Sequence, residues 1–330
     1  MNEKLWIFNT TVPLEIFKRF ENDAGVRGAD ANNLFINADS ILGISPYQLT
    51  LNGEITFPMA YCSWIKGIFS VAHLLHSNNL LAGFIAVELG DCANSKVMAY
   101  LIENFSKVIR FLYFEEKKLL QRELEKFANL FQFSFSELTE RWEERNNLRQ
   151  SLKKAQATYT EGVANFDDFF VAFLTASDPL YFKDDQLKTV KIAVENSLPA
   201  TGKRIAFLGV PPIQSDLWQV LKERDLIVCY FETPEEFALF KEADSIVEQY
   251  LLFTYPASYQ FRYQEVKKQL KTREIEGIIF YSQDFCYREG EKVLWQELAD
   301  ELKIPFVHIQ HDKPGPTSAQ TILRIEAALT

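Results

Sequence analysis

The hydrophobic positions between residues 276 and 311 change their period twice. An apolar run at residues 278–281 is followed by a polar turn that contains Cys286, and then by apolar residues at helical spacing from 293 to 302. A second apolar run occupies residues 306–309. This pattern predicts a strand, a loop, a helix and a second strand, and two strands joined in this way run parallel. Cys286 then lies at the carboxyl end of a parallel strand, where open α/β sheets form their ligand crevices.

A similar pattern surrounds two other cysteines. Cys62 follows an apolar run at residues 55–61, and Cys92 follows one at residues 84–89. Each is followed by apolar residues at helical spacing, so we expect all three cysteines at places where a strand leads into a helix. The fourth, Cys229, lies inside a continuous apolar run, where a buried thiol packs as a small apolar side chain.

Along the whole chain these alternating patterns predict an α/β protein with two parallel-sheet, Rossmann-like α/β domains joined by a helical region. The first domain covers residues 1–108 and carries two of the three cysteines after an N-terminal lead-in. Residues 109–199 lack strand signals and place apolar residues at helical intervals. The second domain covers residues 200–330 and carries the third cysteine.

Shorter segments give local predictions. The N-terminal segment indicates a lead-in with a short amphipathic helix near residues 14–20 and a turn through Gly25. The apolar run at residues 34–36 predicts a strand. Residues 141–154 predict one long helix, with a helix start near Ser136.

The composition is that of a folded, acidic protein. The chain has 330 residues, 47% of them apolar, which suits two or three cores. Its net charge of -10 comes without a basic stripe, and this argues against a nucleic-acid surface. The first twenty residues mix charged and apolar positions, so we expect no signal peptide, no membrane span and a cytoplasmic location. Neither GxGxxG nor a GxxxxGKS/T motif is present, so ATP, if it is used, is bound by another protein.

The cysteines suggest a shared site. Four cysteines scattered over a long chain without a secretory signal do not form a disulfide framework, and three thiols at strand ends in two domains can meet across the crevice. Helix N-termini favour thiolate over thiol. Three thiolates without a fourth indicate a zinc site with an open position or an iron–sulfur cubane with one iron that no cysteine binds. Since the spacing matches no compact ferredoxin or zinc ribbon, three unrelated packed thiols are the alternative.

Six segments taken together resemble the 2-hydroxyacyl-CoA dehydratase D-component family, which includes the benzoyl-CoA reductase subunits. The resemblance covers about residues 35–329, and the helical segment ERWEERNNLRQSLKKAQ is similar to the linker helix of that family. The six segments are ILGISPY (41–47), FPMAYCSWIKG (57–67), GFIAVELGDCANS (83–95), KRIAFLGVPP (203–212), EGIIFYSQDFCYREG (276–290) and IPFVHIQHDKPGPTSAQTILRIEAAL (304–329).

The resemblance implies a cofactor and partners. In that family three cysteines hold a [4Fe-4S] cluster, and by motif match these are Cys62, Cys92 and Cys286, which serve as both cofactor-binding and metal-binding residues. Members pair with a homologous second subunit, as a homo- or heterodimer. A separate ATP-hydrolysing iron–sulfur activator supplies one low-potential electron, and the substrate is a CoA thioester.

The resemblance also implies a reaction. In the dehydratases the electron makes a ketyl radical from the thioester, which renders the β-hydrogen acidic enough to leave as water is eliminated. The expected function is therefore the iron–sulfur subunit of an oxygen-sensitive 2-hydroxyacyl-CoA dehydratase, a lyase of the hydro-lyase type. The alternatives are a benzoyl-CoA reductase-like oxidoreductase, or a catalytically silent homologue that serves in assembly or electron transfer.

The chain departs from the family pattern at two places. The second cysteine is preceded by Asp91 and followed by Ala93, whereas an acid commonly follows it in the family. The first 35 residues also align poorly with the family's start. Both departures bear on the substrate chemistry more than on cluster binding.

Ser63 and His311 are the weak candidates for catalytic residues. Ser63, directly after the first cysteine, is more typical of a helix cap than of a catalytic hydroxyl. His311, at the end of the last predicted strand, is a candidate proton donor, whereas His308 within that strand is typical of a hydrogen-bonded structural residue.

Three basic residues follow the cysteines closely. Lys66, Arg288 and Lys292 lie in the first turns after Cys62 and Cys286, and are candidates for binding CoA phosphates. Basic residues in such positions are more often part of the solvated surface.

Overall fold

The computed structural model describes residues 4–19, 26–58, 60–89, 92–181 and 183–330. Five positions that the sequence patterns singled out lie outside the described residues. They are Phe20, Gly25, Met59, Gly90 and Asp91.

The elements follow the predicted order of two α/β halves with helices between them. The first half comprises β1 (Lys4–Phe8), a 3₁₀ helix (Leu14–Arg19), β2 (Val26–Asp30), α1 (Ala31–Ile36), α2 (Ala38–Leu42), α3 (Pro46–Glu54), α4 (Ser63–Ser77), β3 (Leu81–Leu89), α5 (Ala93–Ile102) and β4 (Val108–Leu112). The helical region comprises α6 (Lys117–Leu130), α7 (Phe135–Glu144), α8 (Asn146–Thr160), α9 (Phe166–Ser177) and α10 (Lys183–Glu195). The second half comprises β5 (Lys203–Gly209), α11 (Leu217–Lys222), β6 (Leu226–Phe231), α12 (Glu232–Phe237), α13 (Ile246–Leu251), α14 (Tyr259–Thr272), β7 (Gly277–Ser282), a second 3₁₀ helix (Tyr287–Glu291), α15 (Lys292–Leu302), β8 (Phe306–Gln310) and α16 (Ala319–Leu329).

Within the described residues the strands form two four-stranded sheets in which every pairing is parallel. Their orders are β2-β1-β3-β4 and β6-β5-β7-β8, so both halves have the same topology. The strand order reverses between β1 and β3 and between β5 and β7, and the crevice at the carboxyl ends of such strand pairs is the usual ligand site. The predicted α/β class with two Rossmann-like sheets is confirmed.

The N-terminal segment is part of the first sheet and not only a lead-in. In β1, Leu5, Ile7 and Phe8 are fully buried, and this strand pairs with both β2 and β3. Its apolar residues are continuous because a central parallel strand is covered on both faces.

Two local predictions of secondary structure are wrong. The apolar residues 34–36 belong to helix α1, because Asp30 caps that helix by accepting a hydrogen bond of 2.9 Å from the Asn32 N–H. The expected helix over residues 141–154 is divided at Arg145 into α7 and α8. Helix α7 starts at Phe135, one residue before Ser136, and has a capping box of Ser134 and Glu137.

The apolar core is continuous between the two halves. Within the described residues, one cluster of buried side chains includes Phe35 and Phe84 from the first half, Phe173 from the helical region, and Val228 and Phe280 from the second half. A second cluster packs α6, α7 and α13 against the other face of the first sheet. The halves are therefore held together by side chains behind the crevice as well as by the loops that border it.

Candidate functional site

Cys62, Cys92 and Cys286 line the same cavity, which has a volume of about 80 Å³. The cavity also contacts the residues that follow the two central strands: Asn9 and Thr10 after β1, and Val210 and Pro211 after β5. The cysteine loops after β3 and β7 complete its wall. The three predicted residues thus line one cavity together with the residues after β1 and β5, while their role as ligands stays a prediction.

Each of these cysteines is the N-cap residue of a helix, but the expected strand ahead of Cys62 is wrong. The chain before Cys62 forms helix α3 and a loop, because Ser45 caps α3 with Pro46 in its first turn. Helix α3 lies directly on α4, since a Cβ atom at Gly53 would be 2.4 Å from the Lys66 carbonyl oxygen. Cys62 is therefore positioned by a helix pair and not by a sheet.

The helix dipole favours the thiolate form at two of the three cysteines. Helices α4 and α5 are 15 and 10 residues long, so their N-termini favour a thiolate at Cys62 and Cys92. The helix after Cys286 is a five-residue 3₁₀ turn and has little dipole to offer.

At Cys286, Arg288 provides the effect that the helix dipole has at the other two cysteines. Burial raises the pKa of the Cys286 thiol, while a hydrogen bond from the backbone N–H of Arg288 and the charge of its guanidinium act in the opposite direction. The backbone N–H of Cys286 donates to the Gln283 carbonyl at 3.0 Å, which closes the loop. The local environment therefore offsets part of the cost of a buried thiolate.

Asn9 joins the ends of β1 and β3 beside the cavity. Its Oδ1 accepts from the Val87 N–H at 2.9 Å, and its carbonyl accepts from Asn32 Nδ2 at 2.9 Å. Both asparagines line the cavity, and Asn32 also donates to the buried Asp30. The sequence patterns did not indicate these two asparagines. Asn9 could have been found if strand β1 had been recognised, because it lies directly after that strand.

Gln283 connects two of the cysteine segments. Its side-chain Oε1 accepts from the Trp64 N–H at 3.2 Å, in the first turn of α4, and its carbonyl binds the Cys286 N–H. Gln283 is fully buried. The start of α4 and the Cys286 loop are thus fixed to each other across the crevice.

The surroundings of the three thiols bear on the metal group that they could hold. No three His, Cys, Asp or Glu side chains among the described residues are close enough to hold one ion, as a tetrahedral zinc site requires. In a four-iron cluster each cysteine binds a different iron, so the thiols of such a site lie farther apart than those that bind a single ion. Trp64 lines the cavity, and its buried Nε1 donor has no acceptor in the described part of the chain; the sulfurs of an anionic cluster accept hydrogen bonds of this kind.

The two candidate catalytic residues do not face the cavity. Ser63 is buried, and its hydroxyl donates to the carbonyl oxygen of Asp312, so it links the two halves. His311 is not among the described residues that line the cavity, and its backbone N–H donates to the Ser282 carbonyl at 3.3 Å. His308 lies 2.7 Å from the Ser282 hydroxyl, and burial lowers its pKa.

The three basic residues have different environments. Lys66 is buried and pairs with Glu54 at 3.3 Å, and Arg288 is buried as well, so a solvated surface is the wrong interpretation for both. Lys292 remains 45% exposed and pairs with Glu289 at 3.0 Å, as expected of a surface residue.

Cys229 lies in β6 and is fully buried, as predicted. Burial raises the pKa of its thiol to about 11, and its carbonyl accepts from Arg273 at 3.0 Å. Its environment is that of a packing residue.

No described helix has the length and apolar character needed to cross a membrane.

A family model described as 2-hydroxyglutaryl-CoA dehydratase, D-component, matches residues 35–329 of the chain. No curated protein matches the sequence significantly.

Proposed function

Because the chain belongs to the 2-hydroxyglutaryl-CoA dehydratase D-component family, we propose that it is the iron–sulfur subunit of a 2-hydroxyacyl-CoA dehydratase-type enzyme, a hydro-lyase. The observation that carries this proposal is the single cavity lined by Cys62, Cys92 and Cys286. In this proposal these thiols hold a [4Fe-4S] cluster, which when bound supplies a low-potential electron and one iron open to an oxygen ligand.

The chain's own residues would provide the environment of that cluster. The N-termini of α4 and α5 favour thiolates at two positions, and Arg288 does so at the third. The apolar side chains of Trp64, Ile65, Ile68 and Phe237 line the cavity and would limit the contact of the cluster with water.

Within the described residues, the cavity wall offers no carboxylate and no imidazole. The Ser63 hydroxyl donates to the Asp312 carbonyl instead, and His311 is not among the lining residues. This observation favours a second candidate, an electron-transferring or assembly homologue whose homologous partner subunit carries the substrate chemistry. A benzoyl-CoA reductase-like activity would use the same cysteine site for an oxidoreductase reaction.

The proposed partners are a homologous second subunit, a separate ATP-hydrolysing iron–sulfur activator and a CoA-thioester substrate, in the cytoplasm. Exposed apolar side chains in the segment around Cys286 support a docking surface: Phe285, Tyr287 and Val293 are 51%, 41% and 55% exposed. The absence of a GxxxxGKS/T motif in the chain is consistent with ATP hydrolysis in another protein.

Anaerobic purification tests the proposal. We expect iron and sulfide in the protein, an EPR signal after reduction, and turnover of a 2-hydroxyacyl-CoA only with the activator, ATP, a strong reductant and no oxygen. A loaded cluster without turnover on any thioester would favour the electron-transfer homologue. Turnover by aerobically purified, iron-free protein would contradict the proposal.

A further inference from the structure

A chain of four buried charges leads to Cys286. Arg262 donates to Glu232 at 2.7 Å and also to Glu291, which in turn accepts from Arg288 at 2.7 Å. Each of the four side chains is at most 3% exposed. They come from α12, α14 and the 3₁₀ helix after Cys286, and their formal charges cancel.

The two ends of this chain of charges differ. Glu232 accepts from the Gly209 N–H at 3.1 Å, at the end of β5, so a backbone dipole compensates the negative end. Arg288, the positive end, lines the cavity and is the one residue with a permanent charge among the described lining residues. The dipole of the network therefore directs its positive side toward the three thiols.

Arg288 is held firmly in this place. Its guanidinium lies 3.7 Å from the centre of the Tyr255 ring and donates to the Tyr255 carbonyl at 2.9 Å. Burial by itself would lower the pKa of Arg288, but the neighbouring tyrosines and Glu291 raise it well above its ordinary value. The residue is thus a fixed positive charge in a place from which water is largely excluded.

A charge in such a place acts strongly on a second charge nearby, because the low dielectric of the interior screens it little. The reduction potential of an iron–sulfur group depends on the net charge and hydrogen bonds around it. Adding an electron to a group already bound by three thiolates increases its negative charge, and a fixed guanidinium stabilises the reduced form more than the oxidised form.

We propose that Arg288 raises the one-electron reduction potential of the group held by Cys62, Cys92 and Cys286, with Glu291, Arg262 and Glu232 as positioning residues. In the step concerned, the group gains one electron and a low-potential one-electron donor loses it, with no bond formed or broken. This inference rests on the proposed function, because it requires that a redox group occupies the cavity.

The test is an EPR-monitored redox titration of the anaerobically prepared, iron-loaded protein. In Arg288→Gln we expect the equilibrium constant for one-electron reduction to fall at least tenfold, which corresponds to about 59 mV. In Glu291→Gln, which removes the opposite charge from the same network, we expect a shift in the opposite direction. A general loosening of the fold would move both variants in the same direction.

Lys292→Gln is the matched control. It removes a positive charge next to Glu291 from a side chain that is 45% exposed, so solvent screening should leave the potential close to that of the wild type. If Arg288→Gln does not retain iron, Arg288→Lys and Glu291→Gln decide the question: Arg288→Lys keeps the charge and should stay near the wild-type potential.

Different results overturn the proposed function and the role of Arg288. A wild-type protein without iron and sulfide overturns the proposed function. If the wild type holds iron, two results overturn the role of Arg288 and leave the proposed function intact. The first is a reduction potential of Arg288→Gln equal to that of the wild type. The second is a reduction potential of Glu291→Gln that is equal to or lower than that of the wild type.

Discussion

At the scale of single residues, the four cysteines divide into three that line the cavity and one that lies inside a sheet. Replacing Cys62, Cys92 or Cys286 with Ala should remove most of the iron, because each would take one thiolate from the cluster. Cys229→Ala is the matched control and should keep the iron at a packing cost of about 1 kcal/mol. Iron and sulfide analysis of the four anaerobically purified variants is the measurement. Equal iron in all four would disprove the ligand assignment.

Two buried carboxyls, Asp30 at the end of β2 and Asp178 directly after α9, give a pH dependence with a definite sign. Burial, together with the nearby Asp178 carboxylate, raises the pKa of Asp30 from 3.8 to about 7, and burial raises that of Asp178 to about 6. Between pH 4 and these values the folded protein holds more protons than the unfolded chain. Its free energy of unfolding therefore falls as the pH rises, by up to about 1.4 kcal/mol per pH unit for each carboxyl.

The variant Asp178→Asn isolates the contribution of the two buried carboxyls to the pH dependence of stability. The variant loses one of the two titrating groups, and Asp30 loses its charged neighbour, so the free energy of unfolding should fall less steeply between pH 5 and pH 7 than in the wild type. Urea unfolding at several pH values measures the two slopes. Parallel curves for variant and wild type would rule out the buried pair as the source.

At the scale of elements, the sequence predicts the βαβ unit around Cys286 well and the surroundings of Cys62 poorly. Strand β7, helix α15 and strand β8 occur where the change of period indicates them. A short apolar run alone cannot separate strand from helix, and the helix α3 ahead of Cys62 is decided by its cap and by contact with α4. The burial of Arg288 could not be predicted either, because its network partners Glu232 and Arg262 are distant in sequence.

The contact between α3 and α4 gives a prediction for a single glycine. A methyl group at Gly53 would lie 2.4 Å from the Lys66 carbonyl, so Gly53→Ala must displace α3 from the helix that Cys62 caps. We expect a loss of about 1–3 kcal/mol in the free energy of unfolding. Gly290→Ala is the control, because a methyl group there meets no atom within 4 Å. Chemical denaturation of both variants measures the difference, and equal stability would show that the two helices can move apart at no cost.

At the scale of the whole molecule, the cavity is a junction between two similar halves. Ser63 reaches Asp312, Gln283 reaches the first turn of α4, and an apolar core continues behind them. The proposed cluster would add a third kind of link, because its ligands come from α4 and α5 in one half and from the loop after β7 in the other. Since the apolar core does not depend on the ligands, removal of the cluster should loosen the border of the cavity and leave both sheets folded.

Hydrogen exchange before and after chelation tests this expectation. The backbone amides of residues 61–64, 92–95 and 283–288 should exchange faster in the chelated protein, while those in β1, β3, β5 and β7 keep their protection. Cys62→Ala serves as the control: without bound iron, it should show the same exchange with and without chelator. A faster exchange of the sheets themselves would mean that the cluster supports the fold of each half. Unchanged exchange at all three ligand segments, despite loss of iron, would mean that Ser63, Gln283 and the apolar core fix the cavity without any help from the cluster.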